Sequence, residues 1–271
     1  FIYLNLLLFI HMESIVLKAN IIQFVLALTL LFPMSIALKN RNKIGHTPLF
    51  LLILFTFLYS TTNLIINSLL FPKLLEDLEL FIRPLGIGIV LSAVYLTIEY
   101  TGNKLNKKES FYILSSYFFF CLVLFLTNDN HNLLYSSFKI GPDGYLIPVE
   151  TDLLFLIYIL PTSIFVVSSI FIIYRYAIFH QVSRLQSVLI GLGLLLGYIS
   201  ISVESAVYTI HQAINVDVIG ISIGVLIISY GIINYNLMQK IPLTKSDIVE
   251  NIDNTIISVT SSYIVSDITN K

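Results

Sequence analysis

Seven apolar stretches divide the chain, near 19–38, 48–70, 81–100, 111–127, 152–174, 187–210 and 216–237. The hydrocarbon core of a bilayer takes about 20 helical residues. No water reaches a free N–H or C=O there, so stretches of this length satisfy their backbone only as helices. The pattern predicts an all-α integral membrane fold, a seven-transmembrane helix bundle over 19–237. The polar breaks are short except at 128–151. That break reads YSSFKI, then GPDG, then YLIPVE. Pro142 and Gly144 stand at the second and fourth positions of a type I turn. The flanks alternate, which predicts a short hairpin. Residues 1–10, FIYLNLLLFI, are too short to span and lack the basic flank of a signal peptide. Residues 1–18 are left unassigned, with Met12 as a candidate start.

Charge orients the bundle. Lys39, Arg41 and Lys43 follow the first span; Lys104, Lys107 and Lys108 follow the third; Arg175 and Arg184 lie between the fifth and sixth. That is three, three and two on one side. The loops of the other side hold Lys73 and Lys139, together with the acids Glu76, Asp77, Glu79, Asp129, Asp143, Glu150 and Asp152. Basic residues stay cytoplasmic. The expected topology has the N-terminus outside and the C-terminus in the cytoplasm. Composition agrees with a lipid-solvated chain: of its 271 residues 56% are hydrophobic and 11% charged, against about 25% charged in a soluble domain. The net charge of -1 says nothing about nucleic acid, but no basic run is long enough for that partner, so none is expected. The single cysteine, Cys121, excludes a cysteine-type metal site. No cofactor is implied.

The last stretch changes character. Pro242 ends or kinks the seventh helix. Thr244 or Ser246 can cap a short junction helix within 238–250, with Asp247 and Glu250 in its first turn. TIISV and YIVSDI follow as two β-type runs separated by TSS. A short helix and two strands resemble the entry to a PAS domain, so 251–271 is expected to be a truncated PAS-like start.

Four stretches carry a wider resemblance. They are LTIEYTGNK at 96–104, LLYSSFKIGPDGYLIP before the fifth span, RLQSVLIGLGLLLG at 184–197, and IPLTKSDIVENIDNTIISV after the seventh. In this order the chain resembles the N-terminal seven-transmembrane sensor region of microbial sensor histidine kinases. The resemblance implies a multi-pass receptor in the plasma membrane. It would sense an extracellular small ligand or membrane signal and pass it through the seventh helix to a cytoplasmic output. It implies a homodimer and a kinase and response-regulator pathway. Kinase chemistry itself is not expected in this chain. His180, in HQVSRL, lacks the acid that follows a phosphoacceptor histidine, and no glycine-rich ATP region follows it. The rival reading is a polytopic transporter or permease. The chain has no internal repeat, and seven spans do not divide into two equal halves.

Several motifs are weighed and set aside. GISIG at 220–224 fits a hydrolase nucleophile pattern, but it lies within the seventh span, where Gly220 and Gly224 form a close-packing GxxxG face. GLGLLLG at 191–197 has the wrong spacing for a dinucleotide site. The seventh span has no lysine for a retinal Schiff base. Glu204 stands out instead, because a carboxylate within a span is costly unless it faces a partner or a cavity. Ser200, Glu204, Tyr208 and His211 share one helical stripe. Arg83 enters the third span from the same side. These five residues form the candidate ligand cavity, with an Arg83–Glu204 pair as one arrangement. The alternative has Arg83 snorkelling to the head groups and Glu204 protonated or facing water. Glu99, at the far end of the third span, reads as an interfacial carboxylate near Lys104.

Overall fold

The computed structural model describes residues 2–40, 45–68, 72–101, 107–140, 146–179, 184–207, 215–234, 256–259 and 265–269. The chain forms two compact units, 1–238 and 239–271. In the first, the helices are α1 (Ile2–Lys39), α2 (His46–Ser68), α3 (Pro72–Thr101), α4 (Lys107–Leu126), α5 (Asp152–Phe179), α6 (Arg184–Val207) and α7 (Val216–Asn234). Each contains a segment long and apolar enough to cross a membrane. α1 reaches back well before its expected start at 19, since no proline or glycine precedes Pro33 to break it. α3 opens on Pro72, whose missing N–H costs nothing at a first helical position.

Between α4 and α5 the expected hairpin forms. β1 (Tyr135–Ile140) pairs antiparallel with β2 (Leu146–Glu150), with an irregularity after Tyr135. The GPDG turn lies outside the described residues. Two side chains hold the hairpin to the helix ends. Asn128 Oδ1 accepts from the N–H groups of Leu134 and Tyr135, and its Nδ2 donates to the Tyr135 carbonyl. The Thr151 hydroxyl donates to the Leu133 and Leu134 carbonyls.

The helices α2, α3, α5, α6 and α7 make a ring, each packed on the next, with α7 closing onto α2. α1 packs outside on α2 and α7, and α4 packs outside on α3. Between helices in lipid, association rests on close packing and hydrogen bonds. Both are visible. α6 and α7 approach so closely that a Cβ on Gly193 would stand 2.5 Å from the Gly224 carbonyl oxygen. The glycines of GLGLLLG and GISIG therefore serve packing. Buried hydroxyls fold back on their own helices, as Thr56 does to Leu52 and Thr97 to Ala93. Tyr100 bonds Ser187 at 2.7 Å, and Gln23 donates to the Ser60 carbonyl. Glu99, expected to be an interfacial carboxylate, is buried, and its Oε2 accepts from the Gly45 N–H ahead of α2; Lys104 lies outside the described residues.

In the second unit, β3 (Ile256–Val259) pairs antiparallel with β4 (Val265–Thr269). The two β-type runs are thus strands of one hairpin. The junction helix expected within 238–250 lies outside the described residues.

Candidate functional site

The helix ring encloses a cavity of about 630 Å³, within the range of small-molecule sites. Among the described residues, none of α1 or α4 lines it. Its floor is apolar: Leu52, Ile89, Ala93, Val225 and Ile228. Toward the hairpin end the wall turns polar. Tyr59 and Asn63 come from α2, Glu79 and Arg83 from α3, Glu150 from β2, Tyr158 from α5, Glu204 from α6, and Asn215 and Asp217 from the start of α7. Pro148 and Glu150 make the hairpin part of the enclosure.

The α7 start is fixed by carboxylates. Free N–H groups at a helix start attract anions. Glu204 Oε2 accepts from the Val216 N–H at 2.7 Å, and Asp217 Oδ1 from the Val218 N–H at 2.6 Å. The other Asp217 oxygen accepts from the Tyr59 hydroxyl at 2.6 Å, which ties α7 to α2. Asn215 repeats the tie by donating to Asn63 at 3.0 Å. Two cavity carboxylates therefore set where the last span begins.

Across the ring, Arg83 lies beside Tyr135 and Tyr158. Among the described residues, its Nε is buried without a hydrogen-bond partner, and so is the Tyr135 hydroxyl. Burial pushes the Tyr135 hydroxyl's pKa up, against the pull of Arg83, so Tyr135 stays a neutral donor. Tyr158 is aimed by a break in helix periodicity. Residues Phe155–Ile159 form a π-helical turn within α5. Pro161 follows and has no N–H to offer the Ile157 carbonyl four residues back. The Tyr117 hydroxyl of α4 fills that gap, donating to Ile157 O at 2.5 Å. The wider turn carries Tyr158 onto the cavity wall, where a Cβ on Gly86 would lie 3.1 Å from its hydroxyl.

Of the five residues expected to form the site, Arg83 and Glu204 line the cavity. They make no ion pair among the described residues, because Glu204 is spent on α7. Ser200 faces α7 instead; its hydroxyl donates to the Gly197 carbonyl at 2.8 Å and lies 3.4 Å from that of Asp217. Tyr208 and His211 lie outside the described residues. Sequence reasoning passed over Tyr59, Asn63, Tyr158 and Asp217. None of the four carried a local signal; even Asp217 is an acid in a first helical turn, which is ordinary.

Residues 21–242 match a family model described as the N-terminal 7TM region of histidine kinase. No curated protein matches the chain.

Proposed function

The chain belongs to the family of N-terminal 7TM regions of histidine kinases, a membrane sensor region of two-component signalling, and we propose that the cavity of the helix ring is its sensing site. The matched region is the sensor part of such proteins and not a catalytic domain. In this reading the bundle sits in the plasma membrane with the hairpin end outside. It works as a homodimer. α7 leads to a cytoplasmic output, of the kinase and response-regulator kind, through a junction and a PAS-like module that starts with β3 and β4. Arg83 and Glu204 contact a small ligand that enters from outside. Tyr208 and His211, on the sequence stripe of Glu204, remain further candidate contacts.

One observation carries the proposal: the side chains that line the cavity also hold the start of α7. Asp217 and Glu204 cap that helix while facing the cavity. A ligand shifts a conformational equilibrium only if it binds the two states unequally. A ligand that engages Asp217 or Glu204 competes with the Tyr59 and Val216 bonds, so occupancy and the seat of α7 are linked. α6, packed tightly on α7 through Gly193 and Gly224, moves with it.

Thiol accessibility tests this. In a Cys121→Ala background, Glu204→Cys is expected to react with a small membrane-impermeant thiol reagent added outside. Ile199→Cys, on an exposed and lipid-facing position of α6, is expected to stay unreactive. Protection at both positions would remove the cavity as a site reached from outside.

A further inference from the structure

The cavity is longer than its polar end requires. Its lining runs along α7 from Asp217 to Ile228, about 16 Å at the helical rise. Toward the floor from Tyr59 on α2, Arg83 on α3 and Asp217 on α7, every lining residue of those helices among the described residues is apolar. An apolar cavity gives water few partners and takes apolar groups. A small polar solute held at the Arg83 and Glu204 end would leave this slot unfilled. Its walls would then forgo the contacts that close packing supplies.

The same cavity reaches the side of the bundle. In the half next to the hairpin, α5 and α6 bury little against each other. No residue of α5 from Phe155 to Ser168 is buried, and on α6 from Leu195 to Glu204 only Ser200 is, which turns to α7. The two helices meet nearer the other end, where a Cβ on Gly191 would lie 3.6 Å from the Ile173 side chain. Ser163 of α5 lines the cavity and also a groove of about 260 Å³ on the outer face of α5, beside Ile164 and Val167. Those two are 54% and 51% exposed, which on a spanning helix means exposed to lipid chains. On α6, Ile201 lines the cavity while 40% exposed. Ser163 and Ile201 therefore stand where the cavity meets the lipid.

Resting on the reading of the cavity as the sensing site, we infer that its ligand is a single-chain amphiphile drawn from the bilayer, which enters between α5 and α6, lays its hydrocarbon chain along the apolar slot and keeps its head at the hairpin end. The chain fills what a polar solute leaves empty. The head exchanges its hydration for the hydrogen-bonding groups of that end, Asn63 and Glu204 among them. A side entry spares both halves: the chain never crosses water, and the head never crosses the slot. A cavity of about 630 Å³ has the volume of a drug-sized ligand site, which admits one chain with a head and is too small for a two-chain phospholipid. The ligand also gains leverage on α7, since its head lies by the caps of that helix and its chain lies along Val225 and Ile228.

The test uses the whole chain with Tyr198→Trp, a position on the cavity wall, in phosphatidylglycerol nanodiscs. The chain has no tryptophan of its own, so the indole reports alone. The probes are bromoalkanols, whose bromine quenches indole on contact. 12-Bromododecanol is long enough to reach the floor and 6-bromohexanol is not; the two are compared at equal mole fraction in the membrane. 12-Bromododecanol is expected to quench saturably, with unlabelled dodecanol reversing the effect. The half-quenching mole fraction of 6-bromohexanol is expected to be at least tenfold higher. Ala93→Leu fills the floor and is expected to weaken the dodecanol probe several-fold while leaving the hexanol probe unchanged. Ser163→Phe and Ile201→Phe narrow the side opening, and each is expected to slow the onset of quenching several-fold in stopped flow. They come from different helices, so one folded variant remains if the other fails to fold. Quenching that rises linearly and is not reversed by dodecanol is collision from bulk lipid, and with a reactive Glu204→Cys it would overturn the inference. Equal half-quenching by the two chain lengths would do the same, as would an unchanged preference in Ala93→Leu. An onset unaffected by narrowing would overturn the side entry. Unsaturable quenching together with an unreactive Glu204→Cys would instead sink the cavity reading beneath it.

Discussion

At the scale of single residues, the Tyr59–Asp217 bond is the contact most open to test. It is a short bond to a carboxylate within a span and joins two non-consecutive helices. Hydrogen bonds to charged groups contribute about 1.5–3 kcal/mol, so Tyr59→Phe should lower the stability of the bundle by roughly that amount. Asp217→Asn keeps an acceptor for the hydroxyl and should cost less from this bond. Urea or thermal unfolding in detergent, run as a double-mutant cycle, checks both. Additive losses from the two changes would mean that the bond contributes nothing. The residues of this site were unequally legible. Glu204 could be singled out because a carboxylate in an apolar stretch violates the expected pattern and so invites a compensating partner. Arg83 broke the pattern in the same way. Asp217 did not, since an acid in a first helical turn is ordinary. Tyr59 and Tyr158 are two of sixteen tyrosines, and nothing local marks those that face inward. Ser200 shared the stripe of Glu204 but turned to α7, because the stripe is wider than the face that meets the cavity.

At the scale of elements, the break in α5 shows how one residue sets a side-chain direction. Pro161 withholds a helical N–H, Tyr117 supplies the missing donor to Ile157, and the π-helical turn between them aims Tyr158. Two variants should therefore interact. Tyr117→Phe leaves the Ile157 carbonyl without a donor and should destabilise by about 1 kcal/mol. In a Pro161→Ala background the new N–H can serve that carbonyl, and the same Tyr117→Phe change should cost little. The coupling is read from unfolding midpoints of the four proteins. Equal costs in both backgrounds would mean that Pro161 does not cause the gap. The helices themselves were legible because membrane helices are fixed by length and apolarity alone. The hairpin was legible because its flanks alternate around a turn signal in the sequence. The π-helical turn was not, since it depends on a tyrosine from another helix, some forty residues earlier. The backward reach of α1 was missed for a different reason: the apolar window that defines a span does not bound a helix whose flank contains no breaker.

At the scale of the whole molecule, function depends on which end of the ring faces outward. The sequence settles the number of spans and the ring closes around a cavity, but neither fixes direction. The distribution of basic residues predicts it. Eight lie in or beside the loops after the first, third and fifth spans, and two lie in the loops of the opposite end. Lysine and arginine in short loops resist translocation, and each contributes to holding its loop in the cytoplasm. The hairpin end carries the acids, and the cavity's polar wall lies toward that end. An outside hairpin would give solutes a route to Arg83 and Glu204, and would send α7 from the site of binding to the cytoplasm. The inverse orientation would place the same polar mouth in the cytoplasm and leave eight basic residues outside. Activity reporters fused after residues 105 and 140 distinguish these cases. Alkaline phosphatase, which works only outside, should be active at 140 and inactive at 105. A cytoplasmic fluorescent reporter should give the reverse. Neutralising the loop charges with Lys104→Gln, Lys107→Gln and Lys108→Gln together should weaken the preference, with some phosphatase activity appearing at 105. A preference that points the other way, or that ignores these three lysines, would rule out charge as the orienting force. Reporters that fall on the same side would mean that the chain between them does not cross the membrane as α4 requires.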